Sequence, residues 1–232
     1  MLVAIVGGSG SGKTWLAERI QALLGPECAR LSLDDFYLDR SHLPPQRRET
    51  LNFDRPQAID WRLLEQALAN VLRGRPTRVP AYDFRTHTRL PRHGILRPAP
   101  IILVEGLWLL RRPSVRRLFE FKIFLECPMR TRLHRRFQRD LLTRARNRLS
   151  VSRQFRRTVE PMHRRFVAPQ IRRADLVLST TRSIDVKKIA CFLEERLAAR
   201  RREAGKAPGA RHLCRFNVDN TSVSDCLLVM RA

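Results

Sequence analysis

The chain alternates short apolar runs with longer amphipathic stretches. Leu2-Val3-Ala4-Ile5-Val6, Ile101-Ile102-Leu103-Val104 and Phe121-Lys122-Ile123-Phe124-Leu125 are the clearest runs. Aliphatic runs of this length without polar alternation predict strands buried on both faces. Ala29 to Leu33 and Leu176 to Leu178 predict two further strands. Helical spacing covers 13–24 and 59–72, the latter stopped by Gly74 and Pro76. Pro128 suits the first turn of a helix running to about Thr143. Residues 145–149 interrupt it, Val151 to Phe166 resumes helical spacing, and Ser183 is placed to cap a last helix to about Arg202. This alternation predicts an α/β fold, a parallel sheet with helices on both faces.

Residues 38–58 are rich in proline and charge and predict a long loop. Residues 77–100 carry Pro80, Pro91, Pro98 and Pro100 and predict a hairpin or irregular excursion. Beyond 203 no period is clear, so the reading is one domain over 1–202 followed by a tail of 203–232.

Composition narrows the class. A chain of 232 residues with 43% hydrophobic content can bury a core as one α/β domain. No apolar run approaches the roughly 20 residues that span a bilayer. The first strand begins at residue 2, so a signal peptide is not expected and the expected location is the cytoplasm. The five cysteines are scattered, with neither a disulfide framework nor zinc spacing. The formal net charge is +24, nearly all from arginine, since only five residues are lysine. Polyanion binding is one reading of such a surplus. Base composition of the genome is the other and is favoured, because no nucleic-acid-binding motif accompanies the charge.

Gly7-Gly8-Ser9-Gly10-Ser11-Gly12-Lys13-Thr14 follows the first strand and opens the first helix. This is the spacing of a phosphate-binding loop. Its backbone N–H groups form a nest for an anion, and the helix N-terminus adds positive potential. Lys13 can reach β- and γ-phosphates, and the Thr14 hydroxyl can hold Mg²⁺. A nucleoside triphosphate, ATP, is the expected ligand.

Ligands in open α/β sheets sit at the carboxyl ends of the strands. The second strand ends at Asp34-Asp35 and another at Glu105. Phosphoryl transfer to a hydroxyl needs alignment, charge neutralisation and a carboxylate to take the proton. Asp34 fits that last role, though an aspartate there can equally cap a turn. Glu105, after an aliphatic strand, fits the metal side.

Longer segments carry a family resemblance. Leu31-Ser32-Leu33-Asp34-Asp35-Phe36-Tyr37, Asn52-Phe53-Asp54-Arg55-Pro56-Gln57-Ala58-Ile59-Asp60, Pro80-Ala81-Tyr82-Asp83-Phe84-Arg85-Thr86-His87-Thr88-Arg89 and Val104-Glu105-Gly106-Leu107 occur in that order. Arg135-Arg136, Arg139-Asp140, Arg146, Gln154 and Val159-Glu160-Pro161-Met162 follow. Over about residues 1–180 this resembles the uridine–cytidine kinases. The resemblance implies a P-loop kinase fold with a small hairpin excursion and a helical lid over about 130–150. It implies Asp34 as general base and Thr14 with Glu105 on the metal. It implies Asp54 at the ribose hydroxyls, Tyr82, Phe84 and His87 about the base, and Tyr37 and Phe53 at the substrate. Arg136, Arg146 and Gln154 are implied at the substrate from the lid, and Arg139 at ATP. A homo-oligomer, a tetramer, is also implied. Arg55 stands where the family usually has His, and Ala145 where it commonly has Gly within Arg144-Ala145-Arg146, which bears on lid geometry.

The expected activity is Mg²⁺- and ATP-dependent phosphorylation of the 5′-hydroxyl of uridine and cytidine, a pyrimidine-salvage step. Neither nucleic acid nor membrane is an expected partner. A kinase of phosphoribulose, pantothenate or nicotinamide riboside is the nearest rival. A nucleic-acid-stimulated ATPase is the rival from another class.

Overall fold

The computed structural model describes residues 1–143 and 148–204. Arg146 and the tail beyond Ala204 lie outside the described residues. Five parallel strands form one sheet: β1 (Leu2–Gly7), β2 (Cys28–Ser32), β5 (Ile101–Gly106), β6 (Phe121–Glu126) and β7 (Leu176–Ser179), in the order β2-β5-β1-β6-β7. β3 (Thr77–Asp83) and β4 (Thr88–Leu96) pair as an antiparallel hairpin apart from it. The helices are α1 (Lys13–Leu24), α2 (Pro45–Glu49), α3 (Trp61–Leu72), α4 (Pro113–Arg116), α5 (Met129–Thr143), α6 (Arg148–Gln154), the short α7 (Glu160–Met162) and α8 (Val186–Ala204).

The sheet explains the unbroken apolar runs. In β1, Leu2, Ala4 and Val6 face one core cluster while Val3 and Ile5 face the other. All five are fully buried. Burying each large aliphatic side chain is worth about 1.5–3 kcal/mol. The first cluster holds α3, the second α1 and α8. β1 lies between β5 and β6, with Ile5 beside both Glu105 and Ile123. Because every strand is parallel, the carboxyl ends of β1, β2 and β5 open on one edge.

Several boundaries differ from the sequence reading. β2 ends at Ser32, and Leu33–Phe36 form a 3₁₀ turn whose start is fixed by the Ser32 hydroxyl accepting from the Asp34 N–H at 3.2 Å. Asp34 therefore sits on a turn rather than a strand end. Asp60 caps α3, its carboxylate accepting from Leu63 N–H at 3.0 Å. Pro128 precedes α5 instead of lying in its first turn. Ser183 does not cap α8, which starts at Val186, and the Asp185 carboxylate accepts from Lys188 N–H at 3.0 Å. The helical stretch after α6 contains two π-helical turns, Phe155–Val159 and His163–Val167, flanking Pro161. Proline has no N–H for the ladder, and its ring crowds the carbonyl four residues back, so the regular α register is disfavoured around it.

Two polar anchors fix the walls of the sheet edge. Gln170, 2% exposed, accepts from Leu110 N–H at 2.9 Å and donates to the Leu107 and Phe166 carbonyls at 2.8 and 2.9 Å. Arg89 on β4 donates to the Tyr37 carbonyl at 2.9 Å and to Asp60 Oδ2 at 3.1 Å, tying the hairpin to the turn beyond Asp34.

Candidate active site

β1 delivers the chain straight into the glycine-rich loop, which then starts α1. Gly10 and Gly12 have φ of 80° and 95°, a region other residues avoid. A Cβ on Gly10 would also lie 2.5 Å from the Arg132 carbonyl oxygen. Lys13 extends back along the loop and donates from Nζ to the Gly8 carbonyl at 3.0 Å. Burial depresses its pKa, while the charges of Glu105 and Asp34 act the other way.

Glu105 is 4% exposed at the end of β5. Its Oε1 accepts from the Thr14 hydroxyl at 3.0 Å and from the Ser32 hydroxyl at 2.9 Å. Burial pushes its carboxyl pKa up, against the pull of Lys13. Asp35 is likewise raised, to about 6, by burial first and then by Asp34 and Glu105. Hard oxygen donors from one hydroxyl and one carboxylate match Mg²⁺, which usually takes one or two carboxylates and completes its shell with phosphate and water. Among the described residues no group of three or more His, Cys, Asp or Glu forms a closed metal cage. The residues therefore fit a metal shared with a phosphate.

Two cavities meet at this edge. One, of about 210 Å³, is lined by the loop, Lys13, Thr14, Glu105, Arg135 and Arg139. The other, of about 50 Å³, is lined by Tyr37, Phe53, Asp54, Tyr82, Phe84 and His87, with Arg136 and Gln154 closing it. Ser9, Asp34, Leu107 and Arg139 belong to both. The acceptor-side residues named in sequence are thus brought together, apart from Arg146, which lies outside the described residues.

The second cavity is built from distant segments. The Asn52 carboxamide oxygen accepts from Asp54 N–H at 2.9 Å, turning the Asp54 carboxylate inward, where Oδ2 accepts from Thr158 at 2.9 Å. Tyr37 meets Phe53, Tyr82 and Phe84 at ring separations of 6.2, 5.1 and 5.7 Å. His87, with a left-handed φ of 57°, stacks on Phe53 at 4.1 Å and 6°. A non-glycine residue in that region is uncommon and is held there by its surroundings. Here the Asp83 carbonyl accepts the His87 N–H at 2.9 Å and closes the hairpin turn.

α5 lies across the phosphate loop. Arg136 donates to the Ser9 hydroxyl at 3.0 Å and to Gln154 Oε1 at 2.9 Å, and it pairs with buried Asp140 at 3.2 Å. Arg139 pairs with the same Asp140 at 2.8 Å. One fully buried carboxylate thus orients two arginines toward the cavities.

Sequence reasoning assigned no role to three further sets of residues. Ser32 supports both Asp34 and Glu105. Arg132 and His163 lie against the loop at Gly8, and Glu160 pairs with Arg132 at 2.6 Å. A third cavity of about 430 Å³ opens beside the loop, walled by Trp15, Leu125, Arg135, Thr180, Arg182 and Ile184. Its walls come from the start of α1, Leu125 of β6, Arg135 of α5 and the segment between β7 and α8, the last of which carried no motif.

The phosphoribulokinase/uridine kinase family model matches residues 2–187. A uridine kinase from Chloroflexus aurantiacus is 39% identical over 178 residues, covering 76% of this chain and 85% of that protein. Uridine kinases from Clostridium perfringens and Streptococcus equi subsp. zooepidemicus are 36% and 35% identical, covering 77% and 84% of this chain and 86% and 97% of their own. Among solved structures, the phosphoribulokinase of Rhodobacter spheroides aligns with a TM-score of 0.58 at 17% identity, covering 77% of this chain and 69% of that one. A D-glycerate 3-kinase from Cryptococcus neoformans var. grubii aligns at 0.59 and 18%, covering 80% and 88%. These structures share the fold. The phosphate loop, the carboxylates at its mouth and the family match agree: the chain is a phosphotransferase that belongs to the phosphoribulokinase/uridine kinase family.

Proposed function

We propose that this chain transfers the γ-phosphoryl group of ATP to the 5′-hydroxyl of uridine and cytidine, giving ADP and the nucleoside monophosphate. The observation that carries this reading is the shared wall of the two cavities, with Asp34 at their junction. A donor phosphate on the loop side and a ribose on the aromatic side bring the reacting oxygen and phosphorus together at that carboxylate. The curated relatives named uridine kinase support the acceptor class.

Asp34 accepts the 5′-hydroxyl proton as the bond from O5′ to phosphorus forms and the bond to the ADP oxygen breaks. Lys13 leaves the Gly8 carbonyl for the phosphates, and Arg136 and Arg139 offset the charge on the transferred group. Thr14 and Glu105 hold Mg²⁺, which supplies charge neutralisation at the phosphates. Asp54 accepts from the ribose 2′- and 3′-hydroxyls, which favours ribose over deoxyribose. A pyrimidine enters by parting the His87–Phe53 stack, since about 50 Å³ is well below the roughly 300–1,000 Å³ of ordinary ligand pockets. A neutral imidazole can donate or accept, so His87 suits either the 4-oxo or the 4-amino group. The cavity beside Trp15 and Ile184 takes the donor's base. The test is a phosphoryl-transfer assay over uridine, cytidine, adenosine, deoxyuridine, pantothenate and ribulose 5-phosphate. Uridine and cytidine are expected to be the best acceptors. Turnover confined to another acceptor refutes the substrate assignment.

A further inference from the structure

The Glu160–His163 segment has no part in the chemistry above, yet its His163 lies against Gly8 of the phosphate loop and its Glu160 holds Arg132, which also lies there. Arg132 is 2% exposed. Its Nε donates to the Cys127 carbonyl at 3.1 Å and its second terminal nitrogen to Glu160 Oε2 at 2.6 Å. The other Glu160 oxygen accepts from Arg164 at 3.0 Å. The arginine stem and its backbone form the loop's floor. A Cβ on Gly8 would lie 2.8 Å from Arg132 Cδ and 2.9 Å from His163 Nδ1, and one on Gly10 would lie 2.5 Å from the Arg132 carbonyl. Two of the loop's glycines are therefore moulded against one residue of α5 and one of the π-helical segment.

We propose that Glu160, by holding the Arg132 guanidinium, positions the phosphate loop for the nucleotide and couples it to α5, with His163 completing the floor. A carboxylate that locks a buried arginine fixes its stem as well as its head. The stem is what touches Gly8. Burial, then the charge of Arg132, lowers the His163 pKa to about 4, so its ring is neutral and packs on the glycine without adding charge. Burial alone would raise the Glu160 carboxyl, but the hydrogen bond and charge of Arg132 prevail, and it stays ionised. This inference rests on the nucleotide reading of the loop.

The sign of one substitution separates positioning from bulk electrostatics. Glu160→Gln keeps the shape, removes a negative charge near the loop and leaves Arg132 uncompensated. Attraction of an anion by net charge alone predicts unchanged or tighter ADP binding. Loss of positioning predicts weaker binding, by roughly tenfold or more, a factor of ten being about 1.4 kcal/mol. ADP with Mg²⁺ is titrated calorimetrically into wild type and Glu160→Gln, with thermal melting in parallel. The expected result is weaker ADP binding and a raised KM for ATP, with KM for the acceptor unchanged. The double variant Arg132→Met/Glu160→Leu replaces the buried pair by apolar groups, which commonly restores stability. It is expected to melt near wild type and still bind ADP weakly. Wild type that binds no ADP overturns the nucleotide reading and this inference together. Wild-type binding matched or exceeded by Glu160→Gln overturns the positioning role alone, as does full recovery of ADP affinity in a double variant that melts normally. Where the double variant does not fold, Glu160→Gln decides.

Discussion

Gly106→Ala offers a test of how tightly the Asp34 and Glu105 carboxylates are placed. Gly106 follows Glu105 at the end of β5 and abuts Leu33, the residue before Asp34. A Cβ at 106 would lie 2.5 Å from Leu33 Cβ and 2.8 Å from its Cδ2, where ordinary contact begins at 3.4 Å. The turn must therefore recede by about 1 Å. Leu33 is fully buried, and the nearest atom is its Cβ, so a change of rotamer does not relieve the clash. The backbone carrying Asp34 moves instead. Overpacking of this kind costs about 1–3 kcal/mol. At about 2–4 °C per kcal/mol for a chain of this size, melting should fall by roughly 2–12 °C. A misplacement near 1 Å can also lower turnover by about a hundredfold. Steady-state kinetics and thermal melting measure both, and ADP binding should persist because the loop itself is untouched. Leu33→Ala in the same background should not rescue turnover, since it keeps the Cβ. A Gly106→Ala enzyme with wild-type kcat and melting temperature refutes the claim that this contact sets the Asp34–Glu105 geometry.

Gln170→Ala should destabilise by at least about 1–3 kcal/mol, because the buried Leu110 N–H and Leu107 carbonyl lose their partner; urea unfolding at constant m-value checks it. Asp35→Asn should change the pH dependence of stability. The folded carboxyl at about 6 lies above its ordinary 3.8, so the native state binds the extra proton between those values and stability falls as pH rises through them. The variant should lose that slope and melt higher than wild type above pH 6, as melting from pH 4 to 8 would show. Asp54→Asn should narrow the preference for uridine over deoxyuridine, read as the ratio of kcat/KM values, whereas an unchanged ratio removes Asp54 from ribose selection.

Much of the fold is local in origin and legible in sequence. The aliphatic runs of β1, β5 and β6 are unbroken because both faces are covered, and the phosphate loop is recognisable from its own glycines and Lys13. The acid–aromatic segments were readable as a set, and the fold brings Tyr37, Phe53, Asp54, Tyr82, Phe84 and His87 to one cavity. Other features depend on partners far along the chain. Ser32 reads as an ordinary strand-end serine until Glu105 arrives from 73 residues away to accept its hydroxyl. Arg132 is hidden by the abundance of arginine, since only tertiary packing separates a buried guanidinium from a solvated one, and that packing gives Glu160 its partner. The π-helical turns around Pro161 follow an interrupted ladder that apolar spacing does not reveal. Ser183 looked like a helix cap by residue type, but Asp185 stands one residue before the helix and takes that place. Arg146 lies outside the described residues and stays an expectation of the resemblance.

The most direct test of the account is Asp34→Asn. The substitution keeps size and polarity but cannot take the hydroxyl proton. General-base catalysis contributes about 10²–10⁴-fold, so kcat with uridine should fall by that order while ADP and uridine still bind. An Asp34→Asn enzyme with near-wild-type kcat contradicts the assignment of Asp34 as the base at the junction of the two cavities.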